Sequence, residues 1–249
     1  MEAEEMTDQP PVEVEGPALA RDVDAYDTLL SVIRKRRSIR KYDPRPVPEE
    51  DLMRVLEAGR WAPSGANIQP WAFLVVEDAE RRGVVTELLI EEGRYLQRKD
   101  PRFPAYERRY HRDVPLYLIF ACDDRAKRSF PQTEPFPVDI TLYMSISAAI
   151  MNVHLAAAAL GLGTVWYTVE EPTEKELKKL LGIPDSFFIP SLTPLGYPLH
   201  GRSSARRPLE RMVHRERMDL SNARRDDLME NLFTRKMTAM VMGGKPVNH

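Results

Sequence analysis

The order of helical and extended patterns along the 249-residue chain predicts an α+β fold, in which helices cover a sheet. Two short apolar runs, residues 71–76 and 116–121, are typical of buried strands. Residues 139–160 are apolar nearly all round, which is typical of a central helix. A chain of this length can bury one substantial core, so we expect one domain with appendages.

The other elements follow from apolar spacing and from residues that begin or end helices. Apolar side chains three and four residues apart indicate amphipathic helices in the first sixty residues. Gly161 and Gly163 are suited to ending the central helix, and Thr173 with Glu176 predicts a capping box for a later one. The predicted helices cover residues 23–35, 49–60, 79–98, 139–160 and 173–181, and the predicted strands cover residues 71–76, 116–121, 164–168 and 187–195.

Local composition divides the chain into three parts. Residues 1–22 are acidic and rich in proline, which predicts a mobile arm. Residues 23–218 form the predicted domain, and within it residues 99–113 lack clear periodicity and are expected to form a lid. Residues 219–249 have too little apolar content to fold alone, so we expect this extension to pack on a partner subunit.

Overall composition excludes several classes of protein. The 36 basic and 38 acidic residues give a net charge of -2, which argues against a surface that binds nucleic acid. The single Cys122 cannot form an intrachain disulfide, and His and Cys residues lack metal-ligand spacing. We expect no apolar run to be long enough to span a bilayer and find no signal pattern at the start, so a cytoplasmic location is expected.

A five-residue stretch directly after the first predicted helix concentrates cationic groups. Arg36, Arg37 and Arg40 place three guanidiniums beside the Ser38 hydroxyl. Planar guanidinium groups bind phosphate and similar anions bidentately, so this stretch predicts an anion site. Arg206, far along the chain, could add a second anionic contact. The alternative is a solvated helix end, where basic side chains meet the negative end of the helix dipole.

A second motif lies in the loop at residues 62–71. Pro63, Ser64, Gly65 and Asn67 are small or turn-forming residues that let the backbone come close to a flat ligand. The loop joins a helix to the first core strand, a place where ligand-binding loops are common. The alternative is a turn with no further role.

Other familiar chemistry finds little support. The glycine pair near residue 161 is not a Gly-x-Gly-x-x-Gly motif entering a helix, and no Walker lysine motif is present, so classical nucleotide folds are disfavoured. Ser38 and Ser64 lack the setting of a hydrolase nucleophile. His154 is interpreted as a helix residue with a satisfied ring nitrogen, and Cys122 as inert core.

Four motifs in this order resemble the FMN-dependent nitroreductases over residues 25 to about 218. The motifs are at residues 36–40, 62–71, 161–168 and 206–210. The resemblance implies a central, mainly antiparallel sheet flanked by helices, an intertwined homodimer, and FMN at the dimer interface. It also implies hydride transfer from NAD(P)H through flavin N5 to a small aromatic or conjugated electrophile.

The resemblance also implies which residues contact the flavin. The cationic stretch would bind the phosphate, the ribityl chain and the pyrimidine edge, and the loop would approach from the other subunit. Residues 166–168 would line the ring near N5, with Thr168 as the catalytic contact. The implied FMN contacts are Arg36, Arg37, Ser38, Arg40, Pro63, Ser64, Gly65, Asn67, Trp166, Tyr167, Thr168 and Arg206.

Part of the pattern is similar to flavin-dependent iodotyrosine dehalogenases. In that branch a threonine hydroxyl contacts N5 and favours one-electron chemistry, as Thr168 would here. Glu91 and Tyr95 match the lid residues that grip an amino-acid zwitterion, and Arg108 stands where that lid has a lysine. The alternative for Glu91 and Tyr95 is an exposed helix pair at i,i+4.

These observations leave a leading function and three rivals. A homodimeric FMN oxidoreductase of the nitroreductase type is expected. The rivals are reductive dehalogenation of a halotyrosine-like substrate, a non-catalytic protein that stores or senses flavin, and an oxygen-using flavin enzyme. The sequence does not distinguish NADH from NADPH.

Overall fold

A computed structural model describes residues 21–100, 109–130, 138–201, 204–219 and 221. Five α-helices and six strands lie within these residues. The helices are α1 (Val23–Lys35), α2 (Glu49–Arg60), α3 (Ala79–Lys99), α4 (Val138–Ala159) and α5 (Glu171–Leu181). The strands are β1 (Tyr42–Asp43), β2 (Trp71–Val76), β3 (Leu116–Asp123), β4 (Gly163–Thr164), β5 (Tyr167–Thr168) and β6 (Phe187–Pro198).

The strands form one antiparallel sheet in the order β1-β6-β3-β2, and β4 and β5 also pair with β6. In the register of the central pair, Ile119 of β3 lies opposite Leu192 of β6. The first seven residues of β3 are buried, because helices cover both faces of the sheet. The predicted α+β fold with an antiparallel sheet is confirmed.

Helices on the two faces of the sheet enclose two apolar clusters. On one face α3 and α5 contribute Leu89 and Leu177. On the other face α2 and α4 contribute Val55 and Ile146. All four side chains are fully buried, and each such burial stabilises the fold by about 1.5–3 kcal/mol.

Helix α4 has one buried face and one exposed apolar face. Ile146 and Ile150 are buried, whereas Ile140, Met144 and Met151 remain exposed. By length and composition α4 qualifies as a candidate membrane span, so the expectation that no apolar run is long enough was wrong. Helix α4 packs on α2 and on the sheet. Its apolar composition is therefore also that of a core helix in a globular protein, which can be as long and as apolar as a membrane span.

Several predicted boundaries need correction. Helix α5 begins at Glu171, so Thr173 is buried inside the helix and does not cap it. Pro172 explains the earlier start, because proline is favoured at the first helical positions. The single strand predicted over residues 164–168 is two short strands, β4 and β5, separated by two residues.

Three regions of the sequence-based division are described only in part. In the expected lid, residues 101–108 lie outside the described residues, and Arg109–Asp113 form a short 3-10 helix. Residues 1–20 of the expected arm also lie outside them. The expected C-terminal extension is described only at residues 219 and 221.

Candidate functional site

Residues 36–40, here called the cationic turn, begin where α1 ends. The N–H of Arg36 still donates to the carbonyl of Val32 at 2.9 Å, as the last bond of the helix. The N–H of Ile39 then donates to the carbonyl of Thr164 in β4 at 2.8 Å. The hydroxyl of Tyr42 donates to the carbonyl of Ile39 at 2.7 Å. The turn is therefore fixed to the sheet through Ile39.

The glycines after α4 make this contact between the turn and the sheet feasible. Gly161 has φ +74°, the left-handed conformation that commonly ends a helix. At Gly163 an added β-carbon would lie 2.9 Å from the β-carbon of Ile39, closer than real side chains approach. Gly163 therefore lets the cationic turn lie directly against β4.

The arginines of the turn differ in what they contact. Arg37 donates to the carbonyls of Arg34 and Arg36 at the end of α1, so its guanidinium caps the helix. Arg40 donates to the carbonyl of Ser38 at 3.4 Å, a long contact. The sequence analysis left open that these basic side chains only interact with the end of the helix. For Arg37, this is the arrangement in the structure.

Arg36 is half-buried and lies among other cations. Burial, and then the charges of Arg206 and Arg37, lower the pKa of Arg36. Within the described part of the chain, the ion pairs include neither Arg36 nor Arg206. Two neighbouring guanidiniums without a carboxylate are unfavourable alone, and an anion bound between them would relieve the repulsion.

Arg206 reaches this place from a distant loop. Its guanidinium donates to the hydroxyl of Ser204 and to the carbonyl of Ala205, at 3.0 Å for the carbonyl, and the side chain is exposed. A cleft of about 260 Å³ lies beside the turn and is lined by Arg36, Thr164 and other residues. The structure thus brings together two predicted anion contacts that are far apart in sequence.

His154 lies near the turn, in the last two turns of α4. Its Nδ1 is 3.1 Å from the hydroxyl of Thr164, and its Nε2 is 3.0 Å from the hydroxyl of Thr193. Burial, with a smaller contribution from the charge of Arg36, lowers the pKa of His154 to about 3, so the ring is neutral at pH 7. The sequence predicted a satisfied ring nitrogen, but it held no signal for the proximity to Arg36.

Trp166, just before β5, and Thr168, within it, present an aromatic ring and a hydroxyl at the surface. Trp166 and Thr168 are exposed, while Tyr167 between them is buried with its ring 5.1 Å from that of His111. The Trp166 ring lies 5.7 Å from that of His154. Of the three predicted contacts in residues 166–168, the structure therefore places two side chains on the surface.

The loop at residues 62–71 has an unusual backbone. Ala66, Asn67 and Gln69 have φ values of 51°, 54° and 51°. For residues other than glycine, each left-handed conformation costs about 1 kcal/mol or more. The N–H of Gln69 donates to the hydroxyl of Ser64 at 2.9 Å, which holds the loop in this shape. Pro63 and Asn67 are exposed at its surface.

The loop packs on the opposite end of α4 from the cationic turn. The N–H of Gly65 donates to the hydroxyl of Ser145 at 3.2 Å. The cationic turn instead lies near His154 and Ala158. These two ends of α4 are roughly 20 Å apart at 1.5 Å per residue. Within one chain, the structure therefore does not bring the two predicted halves of the site together.

The predicted substrate contacts lie on α3. Glu91 is exposed and accepts hydrogen bonds from Arg98 at 2.8 Å and Arg94 at 3.3 Å, which lower its pKa. Tyr95 is half-buried, with the amino group of Lys99 5.5 Å from its ring centre. Arg108 lies outside the described residues.

Glu92, the residue after Glu91, was not predicted from the sequence to have a specific contact. Its buried carboxylate accepts the N–H of Glu170 at 2.9 Å, just before α5 begins. The available signal was helical spacing, because Glu92 lies three residues after Leu89 and seven after Val85, on the buried face of α3.

Metal chemistry and thiol chemistry find no support in the described residues. Among them, groups of three or more His, Cys, Asp or Glu side chains that could hold a metal ion are absent. Burial raises the pKa of the Cys122 thiol to about 12, so the reactive thiolate is scarce.

The fold and site together define an α+β protein with an antiparallel sheet and a basic cleft suited to a phosphorylated ligand. The sequence model of the Nitroreductase family matches residues 33–197, so the chain belongs to that family. The predicted resemblance is confirmed.

Individual relatives agree with the family. A protein of Archaeoglobus fulgidus whose name refers to NADH dehydrogenase/NAD(P)H nitroreductase activity is 36% identical, over 68% of this chain and 84% of its own length. An iodotyrosine deiodinase of Thermotoga neapolitana is 28% identical, over 68% of this chain and 88% of its own. A solved nitroreductase-family structure from Desulfovibrio desulfuricans, described in complex with FMN, is 28% identical with a TM-score of 0.57, covering 77% of this chain and 98% of its own.

Proposed function

We propose that this protein is an FMN-dependent NAD(P)H oxidoreductase that reduces a small aromatic or conjugated electrophile. The observation that carries the proposal is the pair of guanidiniums, Arg36 and Arg206, that lie together without a carboxylate among the described residues. A phosphate dianion fits this donor set, because guanidinium forks match its charge and geometry. FMN with NAD(P)H is also the cofactor pair that the family uses.

The residues of the cationic turn and Arg206 each have a proposed role toward FMN. Arg36 and Arg206 would bind the phosphate, and Ser38 and Arg40 would contact the ribityl chain and the pyrimidine edge. Arg37 already caps α1, so its contribution would be to hold the turn. Bound FMN would supply the hydride-transfer chemistry, accepting hydride from a nicotinamide and passing it to the electrophile.

Strand β5 would hold the isoalloxazine ring. Trp166, directly before the strand, offers an exposed aromatic ring, and Thr168 within the strand offers an exposed hydroxyl. Tyr167 faces the core, so its contact with flavin would come from the backbone. The residues of the chain thus bind and orient the cofactor, and no protein nucleophile is needed.

The rest of the site would come from a second copy of the chain. Gly65 of the loop contacts α4 at Ser145, roughly 20 Å along the helix from Ala158 beside the cationic turn. Helix α4 also carries an exposed apolar face, with Ile140, Met144 and Met151. A homodimer that covers this face would bring the loop of one subunit toward the cationic turn of the other.

Absorbance and turnover measurements test the proposal. The purified protein should show the visible spectrum of bound flavin after incubation with FMN, and should oxidise NADH or NADPH when a quinone or nitroaromatic is added. Tight FMN binding with no turnover on any such pair would instead indicate a storage or sensing protein. Rapid reoxidation by oxygen, coupled to formation of a product, would indicate the oxygen-using alternative.

Reductive dehalogenation is the second candidate function. Glu91 and Tyr95 lie one helical turn apart on α3, at the spacing predicted for gripping an amino-acid zwitterion, and Thr168 offers a hydroxyl near the proposed N5 position. A relative named as an iodotyrosine deiodinase supports the same proposal.

Halide release from a halotyrosine tests this candidate. Replacing Glu91 with Gln should raise KM for the halotyrosine, because one charge on the zwitterion would lose its partner. The matched control is Glu87→Gln, which removes a similarly exposed carboxylate one turn earlier on α3. Absence of halide release from every halotyrosine tried would eliminate the candidate.

A further inference from the structure

Three buried polar side chains connect the cationic turn to the middle of the sheet. The Thr164 hydroxyl contacts Nδ1 of His154 at 3.1 Å, and Nε2 of His154 contacts the Thr193 hydroxyl at 3.0 Å. All three residues are at most 2% exposed. A neutral imidazole has one donor and one acceptor nitrogen, so one threonine donates to the ring and the other accepts from it.

Thr164 is the member of this chain of contacts that touches the cationic turn. Its carbonyl accepts the N–H of Ile39 at 2.8 Å, and Ser38 forms a parallel bridge with it. Strand β4, to which Thr164 belongs, is only two residues long. Because so short a strand has few ladder hydrogen bonds, the side-chain contact with His154 is a substantial part of what fixes its position.

We propose that Thr164, held by His154, is a positioning residue that sets the geometry with which Arg36 binds the phosphate of FMN. This inference rests on the proposed function. Arg36 lies two residues before Ser38, so a shift of β4 would move the guanidinium relative to Arg206. Binding weakens when a site must first be ordered, and a buried hydrogen-bonded support removes that cost.

The competing explanation is that the Thr164 hydroxyl only stabilises the fold. The two explanations differ in how FMN and riboflavin should respond, because these flavins differ only by the phosphate. Misplacing Arg36 should weaken FMN binding and leave riboflavin binding nearly unchanged. A general loss of stability should change the affinity for both flavins together, or for neither.

The test is Thr164→Val, which replaces the hydroxyl by a methyl group of similar size. Dissociation constants for FMN and riboflavin are measured by flavin fluorescence, and the melting temperature is measured without flavin. We expect the FMN constant to rise about tenfold, as for the loss of a buried hydrogen bond, with riboflavin changed less than about threefold. Thr164→Ser keeps the hydroxyl. It should therefore retain the wild-type ratio of the FMN dissociation constant to the riboflavin dissociation constant.

Two further variants keep the test decisive. Thr86→Val removes an equally buried hydroxyl, bonded to Tyr117 at 2.8 Å, and should lower the melting temperature without changing the ratio. Thr193→Val breaks the far contact of His154 and serves if Thr164→Val does not fold. It should also raise the ratio of the FMN constant to the riboflavin constant, by a smaller factor.

The outcomes separate this inference from the proposed function. If the ratio is unchanged in Thr164→Val, the inference is overturned, but FMN binding by the wild-type protein still supports the proposed function. The same holds for Thr193→Val if Thr164→Val does not fold. A rise of the same size in Thr86→Val also overturns the inference. A wild-type protein that binds neither flavin overturns the proposed function, and the inference falls with it.

Discussion

Arg36 and Arg37 are neighbours in sequence, yet their guanidiniums have different surroundings. Arg37 caps the carbonyl end of α1, whereas Arg36 is half-buried beside Arg206. The motif alone predicted a cluster of cations, and in the structure Arg206 is near enough for its charge to lower the pKa of Arg36. Which arginine faces the cleft could not be predicted, because it depends on the contact of Ile39 with β4 and on a residue far away in sequence.

Protonation of His154 gives a prediction at the same scale. Its pKa is lowered to about 3 in the folded protein, while an unfolded histidine titrates near 6.5. The unfolded state therefore binds more protons between these values, so stability falls as the pH drops below about 6.5. Between pH 7 and pH 5 the flavin-free protein should lose roughly 2 kcal/mol of unfolding free energy from this group.

Urea unfolding at both pH values checks this, with His154→Gln as the comparison. The variant should lack this part of the pH dependence, since the other titrating groups are common to both proteins. Equal pH dependence in the two proteins would show that His154 does not stay neutral in the fold.

Among the elements, the loop at residues 62–71 depends on its contact with α4. An added β-carbon at Gly65 would lie 2.5 Å from the methyl group of Thr141 and 3.1 Å from the ring of Phe130. Gly65→Ala should therefore destabilise the protein by about 1–3 kcal/mol, as overpacking does. Chemical denaturation measures the change.

Gly83→Ala is the matched control on α3. Its β-carbon would have open space around it in the described part of the chain, and alanine favours a helix over glycine by about 0.5–1 kcal/mol. This variant should be as stable as wild type or more so. If Gly65→Ala were equally harmless, the loop would not be packed on α4 as described.

Element types were more predictable than element ends. All five α-helices were predicted in type, from apolar spacing, an all-round apolar segment or a helix-start signal, and the strands β2 and β3 were predicted from continuous apolar runs. The division of residues 164–168 into β4 and β5 and the two-residue strand β1 could not be predicted, since such short pairings depend on β6 as a template. The earlier start of α5 was missed because a proline outweighed the predicted cap.

At the scale of the whole molecule, the two predicted halves of the site lie at opposite ends of α4. Sequence similarity found both halves, but their separation within one chain is a property of the fold. The exposed face of α4 carries Ile140 and Met144, which are 59% and 68% exposed. Large exposed apolar groups on one face are typical of an interface, and a second copy would complete the site.

Met144→Glu tests this arrangement. A charge at the centre of the apolar face should convert the dimer to monomer and also reduce FMN retention, because the partner's loop would be lost. Sedimentation and flavin content measure the two effects. Val84→Glu, at another exposed apolar position, should leave both unchanged. A Met144→Glu protein that stays dimeric and keeps its flavin would place the interface elsewhere.

The most direct test of the central claim is a titration of FMN into wild type, Arg36→Ala and Arg206→Ala. The account predicts that each variant binds FMN more weakly by about 1–3 kcal/mol, because a charge-assisted hydrogen bond to the phosphate is lost. Arg54→Ala, which removes an exposed guanidinium already paired with Glu50 and Asp51, should bind like wild type. Equal FMN affinity in all four proteins would contradict the account.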